Sequence, residues 1–282
     1  MNNKRLVTSE HPIADTHLQL CIERGKNDAG VGRWVIEQKY LYLCKYIDAA
    51  RKTTAKWSNL IYIDPFCGPG RIQVKNESFT RPNGAMTAWL QSKKSGSPFT
   101  KLLIGDISED RTNACYERLK AQQANVIRFV GPAEETVKQM IAVVPTNSLC
   151  LVYVDPYNLE LLNYGMIETL AKLKYVDFVF HFSTMDLARN VDVELGRGRF
   201  DKVAPGWQKV TTEVSKSNLL PVFFNHWQNL VRSLGYTCSR SMPLITNNNN
   251  SGIYNLVFYA KHPLPLKFWK DIAQGPVKDM FA

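Results

Sequence analysis

The run Asn59 to Gly70, N-L-I-Y-I-D-P-F-C-G-P-G, constrains the fold of this chain more than any other segment. Leu60 to Ile63 form an apolar run that ends on the carboxylate Asp64, which predicts a buried strand. Pro65 and Phe66 then turn the chain, and Gly68 and Gly70 follow with Pro69 between them. Buried strands of parallel sheets read as continuous apolar runs, and open α/β sheets bind ligands beyond the carboxyl ends of such strands. Glycines at that place let the backbone approach a ligand with no Cβ in the way. A tight turn between a core strand and a helix would use the same residues. An apolar strand running straight into this loop points further, to a nucleotide-like cofactor.

A dinucleotide fingerprint asks for a third glycine, so that a helix N-terminus can hold a pyrophosphate. Gln73 stands there instead, which disfavours an NAD(P)-dependent oxidoreductase. The string D-x-F-x-G-x-G resembles motif I of the class I S-adenosylmethionine (SAM) methyltransferases, especially the amino-methylating DNA enzymes. That resemblance implies SAM as cofactor, with the glycine loop passing under its methionine part and ribose. Phe66, Gly68 and Gly70 would shape the loop, and Asp64 would anchor the methionine end.

The 282 residues, 45% of them hydrophobic, are enough for one large core without disulfide staples. The expected division is an irregular segment over 1–32, one methyltransferase-like unit over 33–270 with an insertion at about 185–220, and a tail over 271–282. No stretch has the length and apolarity of a membrane-spanning helix, and the polar N-terminus carries no signal core. The six cysteines are scattered, with no C-x-x-C pair and no zinc-type spacing, and the five histidines form no cluster. Reduced thiols and a cytoplasmic location are expected, and no metal. The net charge of +10 favours a polyanionic partner, nucleic acid first, because Lys and Arg release counterions from phosphates.

Along the chain, helices and strands alternate without an internal repeat. Apolar spacing predicts a helix over 33–51. A long polar connection, Arg71 to Pro82, follows the glycine loop, and Asn83 is a plausible cap for the next helix. The strand from Lys101 ends in Asp106, where a carboxylate can accept from both ribose hydroxyls. Ser108 caps a helix to Ala121, and Val126 to Val130 makes the third strand. Glu134 falls where methyltransferases place groups around an adenine ring, although a first-turn acid stabilising the helix dipole accounts for it equally well.

Ser148 to Val154 is the clearest buried strand, and it delivers Asp155, Pro156, Tyr157 and Asn158 at its end. In amino-methyltransferases such a place carries an acid or amide, two prolines and an aromatic. The resemblance implies that Asp155 and Pro156 accept hydrogen bonds from the acceptor while Tyr157 stacks on it. Asp-Pro-Tyr-Asn lacks the second proline, so adenine or cytosine does not follow as the target. A strand-end aspartate capping the helix near Glu160 is the plain alternative. Asp177 to Phe182 reads as the fifth strand, with His181 as a core residue. The insertion carries Arg197, Arg199 and Trp207, a set that can pair with phosphates and stack on bases, or else form a solvated loop. A helix over 221–234 ending at Gly235 and two strands, Tyr236 to Ile245 and Tyr254 to His262, close the chain.

These elements predict an α/β, Rossmann-like class I methyltransferase fold: a mostly parallel seven-stranded sheet, a C-terminal antiparallel hairpin, and helices on both faces. Trp34, Glu37 and Lys39, the loop 64–70, Asp155 to Tyr157, Phe182 to Asn190, and Tyr254 to His262 together are similar to the three-Cys-motif partner proteins, a bacterial methyltransferase-like family. That resemblance implies a neighbouring protein with a cysteine motif as partner and supplies no substrate. Two functions stay open: SAM-dependent methylation of nucleic acid or a nucleotide, and a non-catalytic methyltransferase-fold partner that scaffolds or senses within a complex.

Overall fold

The computed structural model describes residues 6–9, 14–194 and 198–273. The described strands are β1 (Leu60–Asp64), β2 (Arg71–Gln73), β3 (Thr80–Pro82), β4 (Lys101–Asp106), β5 (Val126–Val130), β6 (Leu149–Val154), β7 (Tyr175–Phe182), β8 (Thr237–Cys238), β9 (Leu244–Thr246) and β10 (Gly252–Ala260). The described helices are α1 (Leu41–Thr54), α2 (Gly84–Lys94), α3 (Glu109–Ala121), α4 (Ala133–Ala142), α5 (Tyr164–Leu170), α6 (Thr184–Glu194), α7 (Trp207–Thr211), α8 (Leu219–Ser233) and α9 (Pro263–Ile272).

The main sheet runs β5-β4-β1-β6-β7-β10-β8, with β9 also on β10. The first five of these strands pair in parallel, and β10 lies antiparallel between β7 and β8. This is the class I methyltransferase arrangement. The strand order reverses at β1, so the crevice beyond the carboxyl ends of β1 and its neighbours is where such a sheet takes a ligand.

Successive residues of each strand feed opposite faces, as the two-residue period requires. Tyr62, Leu102, Tyr153 and Leu256 pack under α1, α2 and α9. Ile61, Leu103, Val152 and Phe180 pack against the helices of the other face. Asn83 and Ser108 cap α2 and α3 through their side chains.

Three local expectations need correction. The polar connection Arg71 to Pro82 is a hairpin of β2 and β3 in which Ile72 and Val74 are buried. The N-terminal segment holds that hairpin through bridges from Glu23 to Ile72 and from Val31 to Val74. Tyr236 to Ile245 is two short strands rather than one. Pro243 cannot donate to a ladder, and the Asn255 side chain takes the Met242 carbonyl there at 3.2 Å. The first helix begins as a π turn, Val35–Tyr40, before α1.

Candidate active site at the carboxyl edge of the sheet

Asp64 and Asp155 follow one another along the sheet, at the ends of β1 and just beyond β6, on the face covered by α1 and α2. The backbone after β1 bends at Asp64, whose Oδ1 accepts from Phe66 N at 3.0 Å and whose Oδ2 accepts from the Tyr62 hydroxyl at 3.2 Å. Burial, and then the charge of Asp155, push the Asp64 carboxyl up to about 8. It is 2% exposed, and among the described residues no ion pair reaches it.

The glycine loop is strapped on every side. Gly68 and Gly70 have φ of 57° and 86°, the left-handed region in which a side chain is strained. Cys67 N donates to Gly105 O at 2.7 Å, and the Asn83 side chain donates to Cys67 O while its own N–H bonds Gly70 O at 3.1 Å. A Cβ on Gly70 would lie 3.1 Å from the Cα of Cys115. The buried Arg118 guanidinium bonds Pro69 O at 2.7 Å, the carbonyls of His17, Leu20 and Cys21, and the Asp15 carboxylate at 2.9 Å. One arginine thus ties the N-terminal segment to the loop. Phe66 is half-buried against the face opposite Tyr62.

Asp106 faces this loop. Its Oδ2 accepts from Gly68 N at 3.1 Å and lies 3.4 Å from Arg111 Nε, while Oδ1 accepts from Ser108 N at 3.0 Å. Arg111 continues to Glu23 at 2.7 Å. Glu134 lies in the first turn of α4, where its carboxylate accepts from the side chain of Asn163, the cap of α5.

Asp155 does not cap the turn that follows it. Asn158 does, while Asp155 accepts from Lys39 and lies 3.3 Å from His181 Nδ1. Burial acts to raise the Asp155 carboxyl, but His181 and Lys39 lower it below its usual value of 3.8. His181 is pushed down to about 3 by burial and is neutral near pH 7. Lys39 therefore supplies the attraction under neutral conditions. Pro156 is half-buried beside it, and Tyr157 is 86% exposed.

The insertion corrects one expectation. Trp207 is fully buried, edge-on to Phe223 at 5.2 Å, and its indole N–H donates to Asp201 at 3.0 Å. It packs the insertion and offers no face to a base. Arg199 is on the surface, 3.8 Å from Glu160 in the turn after Tyr157. Arg197 lies outside the described residues.

Lys39 and Arg111 are charged partners of the site that no strand-end pattern marks. The signal for Lys39 is its place, with Trp34 and Glu37, among the first-helix residues that carry the resemblance noted in the sequence. Among the described residues no helix is long and apolar enough to cross a membrane.

No protein-family model matches the sequence, and no curated protein does. Among solved structures, an O-methyltransferase from Bacillus cereus in complex with SAH is 11% identical, covers 79% of this chain and 80% of its own, and has a TM-score of 0.44. Trm1 from Pyrococcus horikoshii, solved with S-adenosyl-L-methionine, is 8% identical over 86% of this chain and 58% of its own, at 0.47. Trm5b from Pyrococcus abyssi is 8% identical over 82% of this chain and 49% of its own, at 0.43. This chain thus spans about half the length of Trm5b. Strand order and register define the fold.

Proposed function

We propose that this chain binds SAM at the carboxyl edge of its sheet and transfers a methyl group to a nitrogen or oxygen of nucleic acid or a nucleotide. The observation that carries the reading is the pair Asp64 and Asp155, neighbours at the reversal of strand order beside a left-handed glycine loop. The residues present fit the cofactor. Asp64 is a buried acid without an ion-pair partner, suited to the ammonium of the methionine part. Gly68 and Gly70 give the loop its left-handed turns, and Asp106, hydrogen-bonded to Gly68 N, suits a ribose. When bound, SAM supplies a methyl group on a sulfonium.

In this reading Phe66 lines the loop, Glu134 lies toward the adenine side, and Asp155, Pro156 and Tyr157 present the acceptor. Arg199 and Arg197 belong to a phosphate-pairing insertion, supported by the charge of +10. The test is titration of the full chain with S-adenosylhomocysteine, with NADH as control. Binding that Asp106→Ala weakens about tenfold or more, and that Asp155→Ala preserves while abolishing methyl transfer to RNA or DNA pools, is expected. Absence of SAH binding, or transfer unchanged in Asp155→Ala, overturns it.

A second reading is favoured by the way Arg111 and Lys39 already engage Asp106 and Asp155. In it the chain is a non-catalytic member of the three-Cys-motif partner type, docking a cysteine-motif protein. SAH binding without transfer to any DNA, RNA or protein pool supports this reading over the first.

A further inference from the structure

Behind Asp155 lies a polar cluster that cofactor binding leaves unemployed. Its base is the π turn Val35–Tyr40, whose wide winding turns both Lys39 and Tyr40 inward. Tyr40 is buried, and the Lys39 side chain is 11% exposed. Lys39 Nζ donates to Asp155 Oδ2 and sits 5.4 and 5.8 Å from the ring centres of Tyr40 and Tyr254. Gln38 pins the turn by a reciprocal pair of 3.1 Å bonds to the backbone of Thr246 on β9. A π turn is rare and concentrates at functional places, and a desolvated ammonium is expensive where an apolar side chain would pack instead.

The other groups facing Asp155 carry no charge near pH 7. His181 on β7 is edge-on to the Tyr153 ring at 4.9 Å and 5.0 Å from that of Tyr254. Both its nitrogens, and the hydroxyls of Tyr153 and Tyr254, are buried without a hydrogen bond. Burial drives His181 down and these two tyrosines and Tyr40 up, and Asp64 holds its proton up to about 8. Among the described residues, Lys39 is the cation that meets Asp155 in neutral conditions.

We propose that Lys39 is a positioning residue for methyl transfer, fixing the Asp155 carboxylate in its ionised form and aiming it at the acceptor. This inference rests on the methyltransferase reading above. As the acceptor lone pair bonds to the methyl carbon, the carbon–sulfur bond breaks and its electron pair stays on sulfur. The proton that the acceptor nitrogen or oxygen must then lose passes to a carboxylate oxygen of Asp155 and on to water. A carboxyl already protonated by its burial is no base for that proton; Lys39 prevents this state.

The test has a readout that does not need turnover. The full chain is labelled with carboxyl-13C aspartate, the Asp155 resonance is assigned by its loss in Asp155→Asn, and its midpoint is followed against pH. In the wild type it stays ionised to below 3.8; in Lys39→Met the midpoint rises above that of the wild type, and Lys39→Arg restores it. Should Lys39→Met not fold, Lys39→Gln carries the same expectation. A midpoint unmoved by loss of the ammonium overturns the inference. In methyl transfer to RNA or DNA pools, Lys39→Met loses about tenfold more kcat at pH 6 than at pH 9, with SAH affinity kept. A profile parallel to wild type overturns the inference with the methyltransferase reading intact, whereas failure of the wild type to bind SAH overturns that reading itself.

Discussion

At the scale of the residue, Gly68 and Gly70 show how similar backbone angles can carry different penalties. Both sit in the left-handed region, where a non-glycine residue costs about 1–2 kcal/mol. At Gly68 the nearest atoms to an added Cβ are the end of Arg111 at 3.3 Å, which can swing away, and of Asn83 at 3.4 Å, an ordinary contact. At Gly70 the nearest atom is the Cα of Cys115 at 3.1 Å, backbone on the buried face of α3 that yields less readily than a side-chain end. Gly70→Ala is therefore expected to lower Tm by clearly more than Gly68→Ala. Thermal unfolding of the two variants checks this, and equal losses would show that α3 gives way. Asn83 is a further instance of one side chain with two duties, since it caps α2 and clamps the loop through Cys67 O.

At the scale of the element, the N-terminal segment behaves as a strap across the glycine loop. Arg118, 2% exposed on α3, collects four carbonyls and one carboxylate from two distant stretches of chain. Buried acceptors that lose a shared donor pay their desolvation in full, at about 1–3 kcal/mol each. Arg118→Met keeps the bulk of the side chain and removes all its donors. It is expected to cost at least about 2 kcal/mol in denaturant unfolding and to make the bonds after Arg24 and Lys26 sensitive to trypsin. Unchanged proteolysis would place the hold on this segment in its bridges to Ile72 and Val74 instead. The hairpin of β2 and β3 thus links strap and loop, with Arg71 buried and bonded to Thr80 O at 2.8 Å.

At the scale of the whole molecule, buried titrating groups on both edges of the sheet set a pH dependence of stability. Asp64 at the carboxyl edge is raised to about 8, and Asp177 at the other edge to about 7, each chiefly by burial. For both, the folded chain keeps a proton that the unfolded chain has released, so their stabilisation is present below 3.8 and is lost as pH rises through 7 and 8. His181, lowered to about 3, acts oppositely: its contribution is present above 6.5 and is lost as pH falls toward 3. Between 3.8 and 6.5 His181 offsets one of the two carboxyls. From 6.5 to 8 the carboxyls act alone, and stability is expected to fall. Asp177→Asn still accepts from the Tyr46 hydroxyl, which lies 2.7 Å away. It should flatten that fall, as denaturant midpoints at pH 6.5 and 8 would show; an unchanged slope would mean that Asp177 is already ionised.

The central strands, and the residues that stand at their ends, are written in local pattern. Continuous apolar runs and the caps Asn83 and Ser108 act locally, within a few residues, so β1, β4, β6 and α3 are legible in it. So are the carboxylates Asp64, Asp106 and Asp155 that those strands deliver to one edge. The packed fold sets which of these acids is charged and which partner holds it. That depends on burial and on groups far apart in sequence: Lys39 reaches Asp155, Arg111 reaches Glu23, and Arg118 reaches Pro69. It also decided that Trp207 faces inward, because aromatic residues of a loop and of a core read alike in a short stretch of sequence. Spacing along a chain encodes period and capping; proton affinity and exposure are set by what the fold packs against each group.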